Sequence, residues 1–311
     1  MSKIVTGKVL RATRATYEVM VDHTVLQCTI RGKLSVENPD YRSVRVGDNV
    51  TLHRISDSEG VIESVLPRTS QIERNIESRQ YQKHIFAVNI DQLLIILSTK
   101  KPAFKSGLLD RYLVISEKYH IPPIICINKM DLSEPEDFLA YQHYYSKKLN
   151  YPLMFTSAQT GEGIDSLTKL LKNRVSALVG HSGVGKSSII QAIQPELDIR
   201  TASISERTSK GLHTTTHSQL FPLEIGGFVM DTPGVRELGL WDIYKKDLSG
   251  YFVDFAEVRH NCQFADCTHI HEPGCAVKAA VESGDIFAER YDNYCNIFDS
   301  LKPADQQYHY R

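Results

Sequence analysis

Residues 180–187 carry glycines, a lysine and a serine at the spacing of a loop that binds phosphate groups. The stretch follows the apolar run 177–179 and precedes a helix-like run. In such a loop, successive backbone N–H groups point at the phosphates, and the N-terminus of the next helix adds partial positive charge. We therefore expect Lys186 to reach the β and γ phosphates and the Ser187 hydroxyl to ligate Mg²⁺. The predicted phosphate-binding residues are Gly180, His181, Ser182, Gly183, Val184, Gly185, Lys186, Ser187 and Ser188.

A second motif, Asn-Lys-Met-Asp at 128–131, follows the apolar run 124–127. The Asp131 carboxylate can accept hydrogen bonds from the N1–H and N2–H₂ groups of guanine, an arrangement that adenine cannot satisfy. The motif therefore predicts GTP as the ligand, although on its own it could be a surface turn with a helix cap. The residues predicted to bind or support the base are Asn128, Lys129, Met130, Asp131, Ser157 and Ala158.

A third motif, Asp-Thr-Pro-Gly, follows the apolar run 228–230. Its Asp231 is predicted to hold Mg²⁺ through water, and its Gly234 N–H is predicted to sense the γ phosphate. The polar stretch 208–216 precedes it and is suited to a switch whose threonine closes on the metal. We favour Thr215 for that ligand, but the sequence does not separate it from the threonines on either side.

The residue after the third motif bears on catalysis. Ras-like GTPases carry a glutamine there that orients the attacking water, whereas this chain has Val235, which predicts slow intrinsic hydrolysis. His213 is the nearest candidate for positioning water, and Lys186 and Thr215 complete the predicted catalytic set. The alternatives are that His213 has no catalytic role or that a partner completes the site.

The order of these motifs differs from that of Ras-like GTPases. Here the base-reading elements at 128–131 and 157–158 precede the phosphate-reading elements at 180–187 and 231–234. The sequence therefore predicts a circular permutation, with a loop near 172–176 joining the former chain ends.

A cluster of cysteine and histidine residues lies near the C-terminus. Cys262, Cys267 and Cys275 fall within fourteen residues and lie beside His269 and His271. Three thiolates and one imidazole form a closed set for structural Zn²⁺, and on spacing alone either histidine could be the fourth ligand. The other three cysteines, Cys28, Cys126 and Cys295, are predicted to be inert.

The pattern of strand-like and helix-like segments around these motifs predicts three domains. Short β-like runs within residues 1–70 predict a five-stranded barrel, most simply an OB-fold that binds RNA. Alternating apolar strands and helices within 71–240 predict an α/β P-loop GTPase domain with permuted order. Residues 241–311 are predicted to form a mostly helical zinc-binding domain, and the segment 68–90 between the first two domains reads as a charged connector.

Composition limits the partners. The 311 residues carry a formal net charge of −1, so a nucleic acid must be bound by a local patch. Basic residues of the barrel could face phosphates or simply be solvated: Lys3, Lys8, Arg11, Arg14, Arg31, Lys33, Arg42 and Arg45. The apolar stretches are too short to cross a bilayer, and the N-terminus has no signal-peptide pattern. We expect a cytoplasmic protein with no membrane partner.

Together, the permuted motifs and the Cys-x4-Cys-x-His-x5-Cys cluster resemble the RsgA family of small ribosomal subunit biogenesis GTPases. The resemblance implies binding of the 30S subunit and its 16S rRNA, with GTP hydrolysis stimulated by the subunit during late maturation, and we expect a monomer. It also selects His269 over His271 as the zinc ligand and places the switch histidine at His213. Leu212 stands where the family usually has arginine.

Other functions stay open at this stage. A non-hydrolysing GTP-dependent RNA-binding adaptor is the main alternative, because Val235 cannot orient water. A GTPase with a protein partner and no RNA, and an ATP-dependent kinase, are further alternatives.

Overall fold

The computed structural model describes residues 4–13, 15–30, 43–76, 82–197, 219–231, 240 and 242–301. The strands are β1 (Ile4–Ala12), β2 (Tyr17–Val21), β3 (Thr24–Ile30), β4 (Asn49–Arg54), β5 (Glu59–Val65), β6 (Gln71–Ile76), β7 (Gln82–Val88), β8 (Gln92–Ser98), β9 (Pro123–Asn128), β10 (Leu153–Phe155), β11 (Val175–Val179), β12 (Gln219–Pro222) and β13 (Phe228–Asp231). The α-helices are α1 (Ser106–Tyr119), α2 (Leu139–Tyr141), α3 (Ile164–Leu171), α4 (Lys186–Ile193), α5 (Val253–Ala256), α6 (Ala276–Glu282) and α7 (Ala288–Ser300). A π-helix spans Gln142–Lys148, and 3₁₀ helices span Met130–Leu132, Pro135–Phe138, Leu248–Tyr251 and Arg259–Asn261.

The N-terminal strands form a closed barrel in the order β1-β2-β3-β5-β4. Strand β1 closes the barrel by pairing antiparallel with β4, and β3 pairs parallel with β5. Alternate side chains point inward and form an apolar core that includes Val19, Leu26 and Leu52. The expected OB-type barrel is therefore confirmed.

The central sheet has six strands in the order β10-β9-β8-β11-β13-β12. Every residue of β8, β9 and β11 is buried, as expected where both faces of a parallel sheet are covered. Strands β9 and β10, which carry the base-reading elements at their ends, precede β11, which leads into the phosphate loop. The predicted α/β fold is thereby confirmed.

Three segments differ from the sequence-based expectations. The expected connector is instead a hairpin of β6 and β7, in which Ile72 and Ile85 are buried. The short antiparallel strand β12 was not predicted. Among the helices expected within 71–240, the one over residues 136–149 is not a single regular helix, because the backbone there changes from 3₁₀ to α to π geometry.

Three of the barrel residues expected to face phosphates lie in the described part of the chain, and all three, Lys8, Arg11 and Arg45, are partly buried. The Nζ of Lys8 lies 5.8 Å from the ring centroid of Phe228, and burial lowers the pKa of Lys8. The Nε atom of Arg45 is buried. These side chains do not form an open cationic face, and Lys3, Arg14, Arg31, Lys33 and Arg42 lie outside the described residues.

By compactness the chain divides into two units. The first contains Met1–Leu93, Ile164–Val179 and Ser187–Glu237, and the second contains Leu94–Gly163, Gly180–Lys186 and Leu238–Arg311. In the second unit, the elements described over 242–301 are all helical and share an apolar core that includes Phe252, Phe255 and Tyr294. Within the described ranges, no helix is long and apolar enough to span a bilayer.

Candidate nucleotide and metal sites

Asn128, at the end of β9, joins the base-reading and phosphate-reading loops. Its buried amide donates from Nδ2 to the carbonyl of Val184 at 2.9 Å. Its Oδ1 accepts hydrogen bonds from the Thr156 hydroxyl and the Ala158 N–H, both at 3.2 Å. Three loops that are distant in sequence therefore meet at one side chain, as a shared nucleotide pocket requires.

Lys129 makes a second connection between the same loops. The Lys129 backbone adopts a left-handed conformation, with φ 65°, directly after the strand β9. Its Nζ donates to the Gly183 carbonyl at 2.7 Å and to the Lys101 carbonyl. The aliphatic stem of Lys129 thus runs between the motif at 128–131 and the phosphate loop.

The phosphate loop needs glycine at two close approaches. Gly185 has φ +100°, and a Cβ there would lie 2.3 Å from the Asn128 Nδ2. A Cβ on Gly180 would lie 2.2 Å from the Ile96 carbonyl oxygen. Lys186 begins α4 and donates from Nζ to the carbonyls of Gly180 and His181, at 2.7 and 2.9 Å. These bonds hold the amine over the loop whose N–H groups would receive phosphates.

Asp131 is exposed and is positioned by the next loop. The Ser157 hydroxyl donates to its Oδ1 at 2.5 Å, and Ser157 is itself buried. The remaining lone pairs of the carboxylate are available to an incoming ligand. Met130 is held through its N–H, which donates to the Thr156 carbonyl.

Several predicted residues lie outside the described part of the chain. These are His213, Thr215, Gly234 and the remainder of the stretch 208–216. Asp231 closes β13 opposite Leu178 of β11, but only its backbone is described. Ser187 and Ser188 are partly buried in the first turn of α4.

The four predicted zinc ligands come together. The ligand atoms of Cys262, Cys267, His269 and Cys275 all lie within 4.8 Å of one another. The His269 Nδ1 lies 3.6 Å from the Cys262 sulfur and 3.4 Å from the Cys275 sulfur. A tetrahedral zinc with ordinary Zn–S and Zn–N bonds separates sulfur from nitrogen by about 3.6 Å, so the cluster fits this ion.

The chemistry of the donor set also fits a cation. Burial raises the pKa of Cys267 to about 12, with a further contribution from the Cys275 thiol. A cation is therefore needed to hold Cys267 as thiolate near neutral pH. Burial also lowers the pKa of His269, which favours the neutral imidazole that ligates metals. His271 is exposed and takes no part in the cluster.

Aromatic residues hold the loop that carries the zinc ligands in place. The Tyr291 hydroxyl donates to the His269 carbonyl and the Tyr294 hydroxyl to the Thr268 carbonyl, both at 2.6 Å. The Phe255 ring packs edge-on against the His269 imidazole. Both tyrosines belong to α7, so this helix carries the support of the cluster.

Glu272 is a supporting residue that the spacing of the cysteine and histidine residues does not reveal. Its Oε1 accepts from the Thr268 N–H and hydroxyl at 3.0 and 2.6 Å. Its Oε2 accepts from the N–H groups of Ile270 and His271, at 3.1 and 3.2 Å. Burial alone would raise the pKa of Glu272, but these bonds lower it to about 2. An acidic side chain just before a Pro-Gly-Cys turn was the available signal in the sequence.

We expect Glu272→Gln to weaken zinc binding about 10- to 100-fold, the usual cost of losing an outer-shell partner. A glutamine side chain keeps one acceptor oxygen but replaces the other with an NH₂ group. That NH₂ group would face two backbone N–H donors and could not accept their hydrogen bonds. Competition with a chromogenic chelator, using the full chain, measures the affinity. Glu282→Gln, at an exposed position ending α6, is the matched control. Equal zinc affinity in the two variants would contradict the supporting role of Glu272.

Comparisons with known sequences agree with this geometry. A family model described as RsgA GTPase matches residues 65–241, more than half of the chain. A protein of Chlorobaculum parvum named small ribosomal subunit biogenesis GTPase RsgA is 42% identical over 314 residues, covering 97% of this chain and 99% of its own. A protein of Gemmatimonas aurantiaca with the same name is 39% identical, with the same coverage of both chains.

Solved structures agree as well. YjeQ from Thermotoga maritima is 34% identical, covers 96% of this chain and 99% of its own, and superposes with a TM-score of 0.77. YloQ, described as a circularly permuted GTPase, is 30% identical, covers 99% of this chain and 98% of its own, and has a TM-score of 0.73. The expected family resemblance is thereby confirmed, and the chain belongs to the RsgA GTPase family of GTP-hydrolysing, circularly permuted enzymes.

Proposed function

We propose that this GTPase acts in maturation of the small ribosomal subunit, binds the 30S subunit through its 16S rRNA, and hydrolyses GTP faster when bound to it. The observation that carries the enzymatic part is the joining of residues 128–131 to the phosphate loop by Asn128 and Lys129. The ribosomal part rests on relatives named for small-subunit biogenesis that span nearly the whole chain. We place the protein in the cytoplasm as a monomer.

The proposed nucleotide site assigns one role to each loop. Asp131 accepts hydrogen bonds from guanine, and Ser157 and Ala158 support the base. Lys186 and the N–H groups of 180–188 bind the phosphates. The residues proposed to hold Mg²⁺ with the nucleotide are Ser187 and Thr215, with Asp231 acting through water and Gly234 contacting the γ phosphate.

Two metals serve different purposes in this proposal. When bound, Mg²⁺ neutralises the charge that develops on the phosphates during hydrolysis. Zinc on Cys262, Cys267, His269 and Cys275 is structural, because four protein ligands leave no open position for a substrate. It fixes the fold of residues 262–275.

Fast hydrolysis is proposed to require the subunit because the chain lacks one catalytic group. Val235 cannot hydrogen-bond to water, so the unbound enzyme turns over slowly. His213 is proposed to position the attacking water when the enzyme is bound to the subunit. Completion of a GTPase site in trans accelerates hydrolysis by about 10³–10⁵ in well-studied cases.

The test is steady-state GTP turnover with and without purified 30S subunits. We expect a large increase with subunits in the wild type and none in Lys186→Ala. Turnover that stays undetectable with subunits would favour the alternative, a non-hydrolysing GTP-dependent RNA-binding adaptor, which Val235 alone would permit.

A second measurement separates an RNA partner from a protein partner. Binding to phosphates releases counterions, so the affinity for 30S subunits should fall steeply as salt concentration rises. Affinity that is insensitive to salt would favour a GTPase whose partner is a protein.

A further inference from the structure

A large cavity opens beside the zinc ligands in the C-terminal helical segment. Its volume is about 820 Å³, and Cys262, Cys267 and His269 form part of its wall. Ligand pockets typically measure about 300–1,000 Å³, whereas one water fills about 30 Å³ of liquid. A single metal ion held by four clustered side chains therefore leaves most of this space to another group.

One part of the cavity wall is cationic. Lys245, Lys246 and Arg259 line it, and among the lining residues that the structure describes Asp266 is the one carboxylate. Lys246 and Arg259 are exposed, and neither forms an ion pair within the described ranges. Unpaired cations around a concave site favour an anionic ligand.

Another part of the wall is aromatic. Phe264 leaves 42% of its surface exposed at a turn of the ligand loop, where its carbonyl accepts from the Cys267 N–H. Phe298 and Tyr294, both on α7, also line the cavity. The Nζ of Lys245 lies 4.6 Å from the Phe298 ring centroid, so cation and ring occupy the same wall.

The backbone that carries Phe264 is held by hydrogen bonds within the zinc loop. Phe264 sits between two ligands in sequence, Cys262 and Cys267, and the Gln263 N–H donates to the Gly274 carbonyl across the loop. A large apolar ring kept exposed on a rigid turn is suited to stacking, since its ordering costs little when a ligand binds.

We propose that this cavity binds one unpaired nucleotide of a single-stranded RNA segment, with the base against Phe264 and the adjoining phosphate between Lys246 and Arg259. Aromatic faces and cations together recognise an unstacked base and its phosphate, whereas an acidic peptide would use only the cations. The proposal rests on the proposed function in one respect, that the partner contains RNA.

The test uses the full-length, zinc-loaded chain and a labelled single-stranded RNA of about 10 nucleotides, a length typical of single-strand sites. Fluorescence anisotropy gives its affinity, and a duplex of the same sequence is measured in parallel. We expect Phe264→Leu, which keeps apolar volume but removes the ring, to weaken single-strand binding about 5- to 150-fold. Duplex binding should change little.

The cations have a separate signature. Lys246→Gln and Arg259→Gln should each weaken single-strand binding and reduce the slope of log affinity against log salt by about 0.7. The controls are Lys172→Gln and Leu170→Ala, neither of which lines the cavity, and both variants are expected to bind as the wild type does. Zinc content is measured for every variant. If Phe264→Leu loses its metal, Lys246→Gln still tests the cavity, because Lys246 lies outside the ligand loop.

Each outcome decides the proposal. Wild-type affinity in Phe264→Leu, or absence of single-strand binding by the wild type, overturns it. The proposal is also overturned if a polyglutamate peptide displaces the RNA and its own affinity is unchanged by Phe264→Leu. That result would identify an acidic protein segment as the ligand of the cavity. Stimulation of GTP turnover by 30S subunits is measured on the same preparations. Intact stimulation with no effect of the variants refutes the cavity and leaves the proposed function standing.

Discussion

Asp131→Asn should lower the affinity for GTP at least about 100-fold and create affinity for xanthosine triphosphate. The carboxylate can accept from both N1–H and N2–H₂ of guanine, and hydrogen bonds to a charged group contribute about 1.5–3 kcal/mol each. An asparagine turns its NH₂ toward the guanine amino group and loses that bond. Xanthine has a carbonyl oxygen at that position, which accepts from the NH₂.

The geometry makes this substitution a clean test. The Ser157 hydroxyl holds Asp131 at 2.5 Å and can also donate to an amide oxygen at this position, so the loop should keep its shape. Calorimetric titration with GTP, xanthosine triphosphate and ATP measures the change. Asp137→Asn, exposed in the neighbouring 3₁₀ helix, is the matched control. Unchanged nucleotide preference would refute the base-reading role of Asp131.

The phosphate loop could be anticipated because its requirements are local. Consecutive N–H groups can face one point only where glycines occupy positions closed to a Cβ, and Gly185 approaches Asn128 in this way. The barrel was likewise visible in its alternating side chains. Strands β6 and β7 were not, because their many polar residues hide a small number of buried ones such as Ile72 and Ile85.

In the metal cluster, the spacing of residues in the sequence does not identify every ligand. His269 and His271 are equally compatible with the cysteine spacing. Tertiary contacts determine which of the two is the ligand. Phe255 packs against the His269 ring, while Glu272 binds the His271 N–H and leaves its side chain exposed. No local pattern encodes those contacts, so only the family resemblance selected the ligand beforehand.

A buried charge network in the second unit was also invisible in the sequence. Arg290 of α7 is 1% exposed and donates to Asp110 of α1 at 2.5 Å and to Asp254 of α5 at 2.9 Å. Asp110 also accepts from Asn293 and Tyr145. Arg290 and Asp110 are 180 residues apart in the chain, a separation at which no motif links them.

Arg290→Met should destabilise the fold by about 3–5 kcal/mol, because it leaves two buried carboxylates without their cation. Methionine retains apolar volume, so the loss reports charge more than packing. The free energy of unfolding in urea measures the effect. Arg174→Met, at an exposed arginine, should change it by no more than about 0.5 kcal/mol. Adding Asp110→Asn to Arg290→Met should recover part of the loss, since one uncompensated charge is then removed.

The destabilisation should also shrink as pH falls. Burial raises the pKa of Asp110, although Arg290 and the hydrogen bonds from Asn293 and Tyr145 oppose the rise. A carboxyl whose pKa is higher in the folded state costs stability when ionised, and this cost is relieved as pH falls through the folded-state pKa. Without Arg290 that pKa rises further, so protonation relieves the variant more than the wild type. A destabilisation independent of pH would mean that lost packing, rather than the two uncompensated carboxylates, accounts for the effect.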